Sequence, residues 1–410
     1  MSSTDQPTTA VAGPAPEPDG TVVAPGAAST PTSQQFKLGN RPALTGIRIF
    51  FLLPVVIFHT NFHTLPGSWA TLDSFFVLSG FLITSLLAIE HQRTQGISLT
   101  KFYSRRAVRL LPPLILTVVL LGIYAAFVYV EDASQRIWGD SAAAIFYYAD
   151  YRQAFESDPL YGGFLTQCWS LAVEEQFYLI WAVLLVVAVK FGHRRFGYRK
   201  IAYALAIAGI VACTANRMYI VLSAPHWSIY VADRTYYAFD TRGDALFLGC
   251  LLGLLATGNH LENWGPTARR ALIVAAVAST AVMIWIFFNV GLYSRSLPLV
   301  WIPVSEVASV FIVAFFIIHS NGIGSKVMGI SALVLLGNMS YTIYLVHWPV
   351  FVALSPSTTH WSYLQLDVVR IAIIMVIAVA SWYLMEKPLT KWRRKEFSTT
   401  PPRAPVVDPP

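Results

Sequence analysis

Arg48 and His59 stand eleven residues apart on one apolar stretch. On an α-helix, eleven steps of about 100° return to nearly the same face. At ~1.5 Å per residue the two positions lie about 16 Å apart along the axis. One helix face then carries a permanent cation near one end. Near the other it carries an imidazole, the side chain best suited to proton transfer near neutral pH. That geometry suits a conduit running part of the way through a membrane. The plainer reading is an arginine snorkelling to the headgroups and a histidine resting at the interface.

Other charges also interrupt apolar stretches: Asp73, Glu174, Glu175, Arg242, Asp244, Glu306, His347 and Arg370. Ionisable groups are costly in hydrocarbon, so they usually face a polar interior and often serve function. The elements that must position them are membrane spans. Of 410 residues, 55% are hydrophobic and only 12% charged, against about 25% charged in soluble domains. Apolar runs of roughly 20 residues predict an all-α integral membrane protein with roughly ten transmembrane helices. They run over 44–62, 69–90, 110–130, 169–189, 201–222, 236–257, 271–290, 298–318, 331–353 and 365–385.

Lys/Arg placement orients the chain. With the N-terminus inside, the cytoplasmic segments hold 21 of the 29 Lys/Arg and the outer loops hold 4. The remaining four, Arg48, Arg217, Arg242 and Arg370, lie within spans. An excess on inner loops is the rule for short connections, so both termini are expected in the cytoplasm of a multi-pass protein of the plasma (inner) membrane. On this orientation His59, Asp73, Glu174, Glu175, Arg242, Asp244, Glu306 and His347 lie toward the outer leaflet, and Arg48 near the inner end of its span. The basic balance then reflects topology, and nucleic acid is not an expected partner.

Residues 1–35 and 397–410 are Pro-rich and poor in large apolar residues, a composition expected to stay disordered. The membrane domain is thus expected over 36–396. No leader with a basic start and an apolar core opens the chain. Cys168, Cys213 and Cys250 form neither a metal spacing nor a disulfide framework and read as small apolar residues in helices. No P-loop, no GxGxxG after a strand and no HExxH is present. No metal and no permanently bound cofactor is expected. Ser79-Gly80 and Gly249-x3-Gly253 read as small-residue packing sites. Ser79 does not sit in a GxSxG elbow.

Arg48-x10-His59 resembles the Arg/Lys-x10-His motif of the acyltransferase-3 family of membrane O-acyltransferases. Phe75-Phe76-Val77-Leu78-Ser79-Gly80-Phe81 looks like that family's FFxxSGF segment, and Arg106-Ala107-Val108-Arg109 like its RxxR element. Trp169-Ser170-Leu171-Ala172-Val173-Glu174 with Tyr178 is similar to its WSLxxExxxY element. Weaker likenesses follow at Arg242-Gly243-Asp244, at Ser340-Tyr341 to His347-Trp348-Pro349, and at Glu386-Lys387-Pro388. The resemblance covers about residues 40–395.

The resemblance implies transfer of an acyl group, expected to be acetyl, from acyl-coenzyme A on the cytoplasmic side. The acceptor would be a hydroxyl of a cell-envelope glycolipid or saccharide on the outer side. Such transfer needs a base for the hydroxyl proton, and His59 is the candidate. Glu174 is expected to orient the imidazole and stabilise its cation as in a triad, with Glu175 able to substitute. The plainer reading of Glu174 is an interfacial carboxylate at a helix N-terminus. Arg106 and Arg109 share a helix face in the inner loop from His91 to Arg109, and Arg suits phosphate. They would bind acyl-CoA, unless they are merely positive-inside charges at headgroups. Arg48, Ser79, Arg242, Asp244 and His347 complete the expected substrate-contact set. The segment 131–164, with its carboxylates and tyrosines, could cover a saccharide acceptor or form an ordinary aromatic belt.

The Pro/Ala-rich tail, with no appended C-terminal domain expected, resembles actinobacterial members of the family, some of which acetylate the mycolyl hydroxyl of trehalose monomycolate. A polyketide, a phosphoinositol glycolipid or a polysaccharide are alternative acceptors. An exporter or exchanger, which needs a continuous path but no general base, is the alternative class.

Overall fold

In hydrocarbon no water can serve backbone N–H and C=O groups, so a span must satisfy them internally as a helix. The computed structural model describes residues 38, 41–60, 64–127, 131–155, 163–192 and 197–396. Both tails expected to be disordered lie outside the described residues. Among the described residues every regular element is helical.

The first half of the chain forms α1 (Pro42–Thr60), α2 (Ala70–Thr94), α3 (Leu99–Phe127), α4 (Glu131–Ile145), α5 (Ala149–Ala154), α6 (Cys168–Gly192) and α7 (Tyr198–Ser223). Next come α8 (Ile229–Tyr237), α9 (Phe239–Arg242), α10 (Asp244–Thr257) and α11 (Pro266–Asn289). A π-helical turn at Leu297–Trp301 leads into α12 (Ile302–Ile318), followed by α13 (Ile323–Met328), α14 (Ser331–Ala353) and α15 (Pro356–Thr359). The last helix is α16 (Tyr363–Ser381), continued through a π-helical turn at Trp382–Glu386 into α17 (Lys387–Glu396).

Among the described residues, eight helices are long and apolar enough to cross a membrane: α1, α2, α3, α6, α7, α11, Leu297–Ile318 and Tyr363–Trp392. The two other expected spans differ. Extended backbone at Ala238 breaks 236–257, and α10 has 14 residues. That is about 21 Å of helix, short of the ~30 Å hydrocarbon core. α14 has 23 residues but carries Asn338, Ser340, Tyr341, Thr342, Tyr344 and His347, and it falls outside the eight. The third span also starts earlier than expected. Arg105, Arg106 and Arg109 therefore stand on the first turns of α3 and not in a loop.

α2 is the hub. In its most apolar window 72% of the residues are buried, the largest share of the eight. It lies against α10 so closely that a Cβ on Gly80 would strike the Leu246 carbonyl, and one on Gly249 the Val77 carbonyl. This is the close approach that small residues permit where lipid gives no hydrophobic drive to association. It agrees with the packing reading of both glycine motifs.

Two faces result. At one, Gln92 Nε2 donates to Thr257 O at 3.1 Å and Arg199 Nη1 to Leu254 O at 2.9 Å. At the other, Gly67 N donates to Phe287 O and Trp69 Nε1 to Val290 O, both at 3.0 Å. The first face also holds the start of α1. By the charge bias it is the face expected on the cytoplasmic side. Gly96 and Gly265 at this face, and Gly291 at the other, have open space around a Cβ. The native cysteines are buried. In a background without them, Gly291→Cys should react in intact cells with an impermeant thiol reagent, and Gly96→Cys and Gly265→Cys should not. Labelling of the latter pair would invert the orientation.

Candidate functional site

A cavity of about 960 Å³ enters from the face that holds the start of α1. It is built by α1, α2 from Leu72 to Thr94, the first half of α3, α6, α14 and the Trp382–Lys391 segment. Eight Lys/Arg side chains line it against four carboxylates. Glu90 takes Arg105 at 3.1 Å and Glu175 takes Arg106 at 2.7 Å. Glu386 accepts from Thr342 at 2.7 Å and from Ser381 at 2.9 Å. Arg48 and Arg109 face each other electrostatically, and the buried Nε of Arg48 has no hydrogen-bond partner. Like charges gathered in a cavity repel unless an anion joins them, so this arrangement is suited to a polyanion. The volume falls within the ~300–1,000 Å³ usual for small-molecule sites.

Deep in the cavity lies a compact polar cluster. Ser79 Oγ donates to Glu174 Oε1 at 2.9 Å, and Tyr178 Oη lies 2.9 Å from Glu174 Oε2 and 2.8 Å from Ser79 Oγ. Tyr178 is one helical turn after Glu174, so both share the inner face of α6. Arg106 lies over the Tyr178 ring, 3.4 Å from its centroid, while its other end meets Glu175. Of the two RxxR arginines, Arg106 is thus held by protein partners, and Arg109 is the one exposed in the cavity.

His59 lies elsewhere. Its Nδ1 is 3.1 Å from His347 Nε2, and its ring leans on Trp348 with centroids 4.8 Å apart. The expected Glu174–His59 pair does not form, since Glu174 bonds Ser79 and Tyr178 instead. The reason is register: Glu174 points toward α2, and the imidazole of His59 meets α14. Neither histidine lines the cavity. Its wall on that side is Ser170 and Tyr344. The Tyr344 hydroxyl bonds Ser170 Oγ at 2.7 Å and donates to Gln167 O at 2.8 Å, and its ring lies 5.4 Å from that of His347. Pro349 lacks an N–H, which leaves the Leu345 carbonyl without its helical partner, and Gln167 Nε2 supplies one at 2.8 Å. His347 is buried and His59 part-exposed.

Arg242 and Asp244 do not join the cavity. Arg242 Nη2 pairs with Asp73 Oδ1 at 2.6 Å, and Arg217 Nη1 with Asp244 Oδ2 at 2.7 Å; all four side chains are 0% exposed. Ser305 also bonds Asp73, and Glu306 lies 3.7 Å from Arg217. This network ties α2, α7, α9, α10 and α12 together.

Of the segment 131–164, the described part docks on α6 through Gln176. Its Nε2 donates to Tyr147 O at 2.9 Å and Asp150 Oδ1 at 2.8 Å. Burial pushes the Asp150 carboxyl up to about 6, so at pH 7 it remains mostly ionised. Tyr147 lines the cavity; residues 156–162 lie outside the described ones. Sequence reasoning passed over Ser170, Tyr344 and Glu386 as site residues. Ser170 and Glu386 carried a usable signal, since both stand within segments that resemble the family's motifs.

Removing one partner of a buried ion pair strands the other charge, at a cost of about 3–5 kcal/mol. Asp73→Ala and Asp244→Ala should therefore lower the unfolding midpoint of the purified protein strongly. An unchanged midpoint in both variants would return these residues to the substrate-contact set.

The acyltransferase domain family matches residues 41–387. O-acetyltransferase OatA of Staphylococcus aureus is 29% identical over 379 residues, 88% of this chain and 59% of the relative. Peptidoglycan O-acetyltransferase OatA of Listeria monocytogenes is 29% identical over 363 residues, 85% of this chain and 56% of the relative. The chain thus spans less than two thirds of the curated relatives it matches. No solved structure matches it. With the family covering nearly the whole helical body, and with its motifs lining one basic cavity and one histidine pair, the chain belongs to the acyltransferase-3 family of integral membrane proteins.

Proposed function

We propose that the protein is a membrane O-acetyltransferase that takes acetyl from acetyl-CoA on the cytoplasmic side and delivers it to a hydroxyl of a cell-envelope saccharide on the outer side. The observation that carries this reading is the separation of two sites. A basic cavity opens at the face of the α1 start, and a part-exposed imidazole lies beyond Tyr344 at the other end of the same helix. The acceptor class follows the Listeria monocytogenes relative, a peptidoglycan O-acetyltransferase.

In this reading the phosphates of the donor meet Arg48 and Arg109, and its thioester end lies toward Ser170 and Tyr344. His59 takes the proton of the acceptor hydroxyl. That oxygen attacks the thioester carbonyl, the new C–O bond forms as the C–S bond breaks, and the His59 imidazolium gives its proton to the departing sulfur, so that coenzyme A leaves as the thiol. The Glu174 cluster holds α2, α3 and α6 in register around the passage.

Losing a charge-assisted contact costs about 1.5–3 kcal/mol, so Arg109→Gln and Arg48→Gln should each weaken coenzyme A binding roughly ten- to hundredfold, and rising salt should weaken the wild type. Unchanged affinity in both variants would remove the donor site. General-base catalysis contributes about 10²–10⁴-fold. His59→Ala should therefore lose acetyl transfer to an envelope-saccharide acceptor by that order and still bind coenzyme A. An exporter would instead move substrate without yielding an acetylated product.

A further inference from the structure

We propose that His347 is the positioning residue that fixes the tautomer of His59, the role expected of Glu174. The argument is one of donors and acceptors. His347 Nδ1 lies 2.6 Å from the Tyr344 carbonyl, with the Ile343 carbonyl a second acceptor in range. A carbonyl oxygen only accepts, so His347 Nδ1 carries the proton. A neutral imidazole has one donor and one acceptor nitrogen, so His347 Nε2 is the acceptor. It faces His59 Nδ1 at 3.1 Å. His59 Nδ1 must then be the donor, and His59 Nε2 is its basic nitrogen. The Val55 carbonyl, one turn earlier on α1, also accepts from the His59 ring.

The order is backbone carbonyl, His347, His59, base nitrogen. It parallels a triad in which a carboxylate holds the Nδ1–H of the base, with a neutral imidazole in place of the carboxylate. His347 is held rigidly for this: it is 0% exposed, its ring lies 6.1 Å from Phe351, and its nitrogen bonds its own helix. The neighbouring Trp348, whose Nε1 donates to Gly163 O at 2.6 Å, leans on His59 from the other side and fixes the ring plane.

The proposal rests on His59 being the base, yet its first test does not need activity. The full-length protein, ¹⁵N-labelled at histidine and reconstituted in nanodiscs at pH 8, is compared with its His59→Gln variant to assign the His59 signals. In the wild type His59 should show a protonated Nδ1 and a bare Nε2. His347→Leu removes one acceptor and should shift part of that proton to Nε2, the Val55 carbonyl retaining the rest. In acetyl-transfer assays His347→Leu should lower kcat tenfold or more and leave KM for acetyl-CoA unchanged. His347→Gln should restore part of kcat, because its Oε1 offers an acceptor where Nε2 stood. A wild-type His59 protonated on Nε2 would overturn the assignment, whether or not transfer is detected. So would a folded His347→Leu protein with normal kcat, or a Gln variant no better than Leu.

Discussion

The Arg242–Asp73 pair is the contact on which the arrangement of the bundle depends. A lone charge in hydrocarbon costs several kcal/mol, so each of these groups must find its opposite before the helices can pack. Asp73 sits one turn into α2 and Arg242 at the break between α9 and α10. Their meeting, and that of Arg217 with Asp244, sets the depth at which α10 lies on α2. The interlocked glycines Gly80 and Gly249 then bring the two backbones into contact. Six residues after Asp73, and on a different side of the helix, Ser79 is carried to Glu174. The ion network does not line the cavity, but it sets where one wall of it stands.

Much of this was legible in the sequence. Apolar run lengths predicted the helical membrane class, and each of the ten expected spans contains helix. The glycine motifs predicted close packing, and Arg48, Arg106, Arg109, Ser79 and Glu174 do line one cavity. What was not legible was partner choice. Depth along a helix can be counted from a sequence, and Glu174 and His59 were paired because both were counted into the outer half of the membrane. Which side chains meet at a given depth depends on helix rotation and crossing, which no spacing within one helix reveals. Arg242 and Asp244 were misassigned for the same reason. A charge in a span signals a polar neighbour, and that neighbour can be a counter-ion as readily as a substrate. The break at Ala238 was hidden because hydropathy is averaged over a window longer than the one extended residue that makes it.

The site divides into parts with different physical demands. The cavity gathers like charge that the protein leaves partly uncompensated at Arg48 and Arg109, a condition that favours an anionic guest over water. The histidine pair is a region of neutral hydrogen bonds among aromatic rings, where proton position is set by directional contacts with α14. Between them the Glu174, Ser79, Tyr178 and Arg106 cluster is satisfied by its own members. It rigidifies the wall and leaves chemistry to the groups on either side.

Wherever a basic cavity carries solution into a bilayer, the insulating layer thins. Here what remains behind the cavity, at Ser170, is the Tyr344 ring held by Ser170 and Gln167, and then the two imidazoles. The membrane voltage drops across that remnant and not across the full hydrocarbon thickness, so the local field is steeper there than in plain lipid. Moving one charge through the whole potential is worth ~2.3 kcal/mol per 100 mV. The Tyr344 phenol offers no fixed charge for that field to pull. The same tyrosine that closes the basic cavity therefore also serves as an electrical seal, one that holds to the extent that its hydroxyl stays hydrogen-bonded to Ser170 and Gln167.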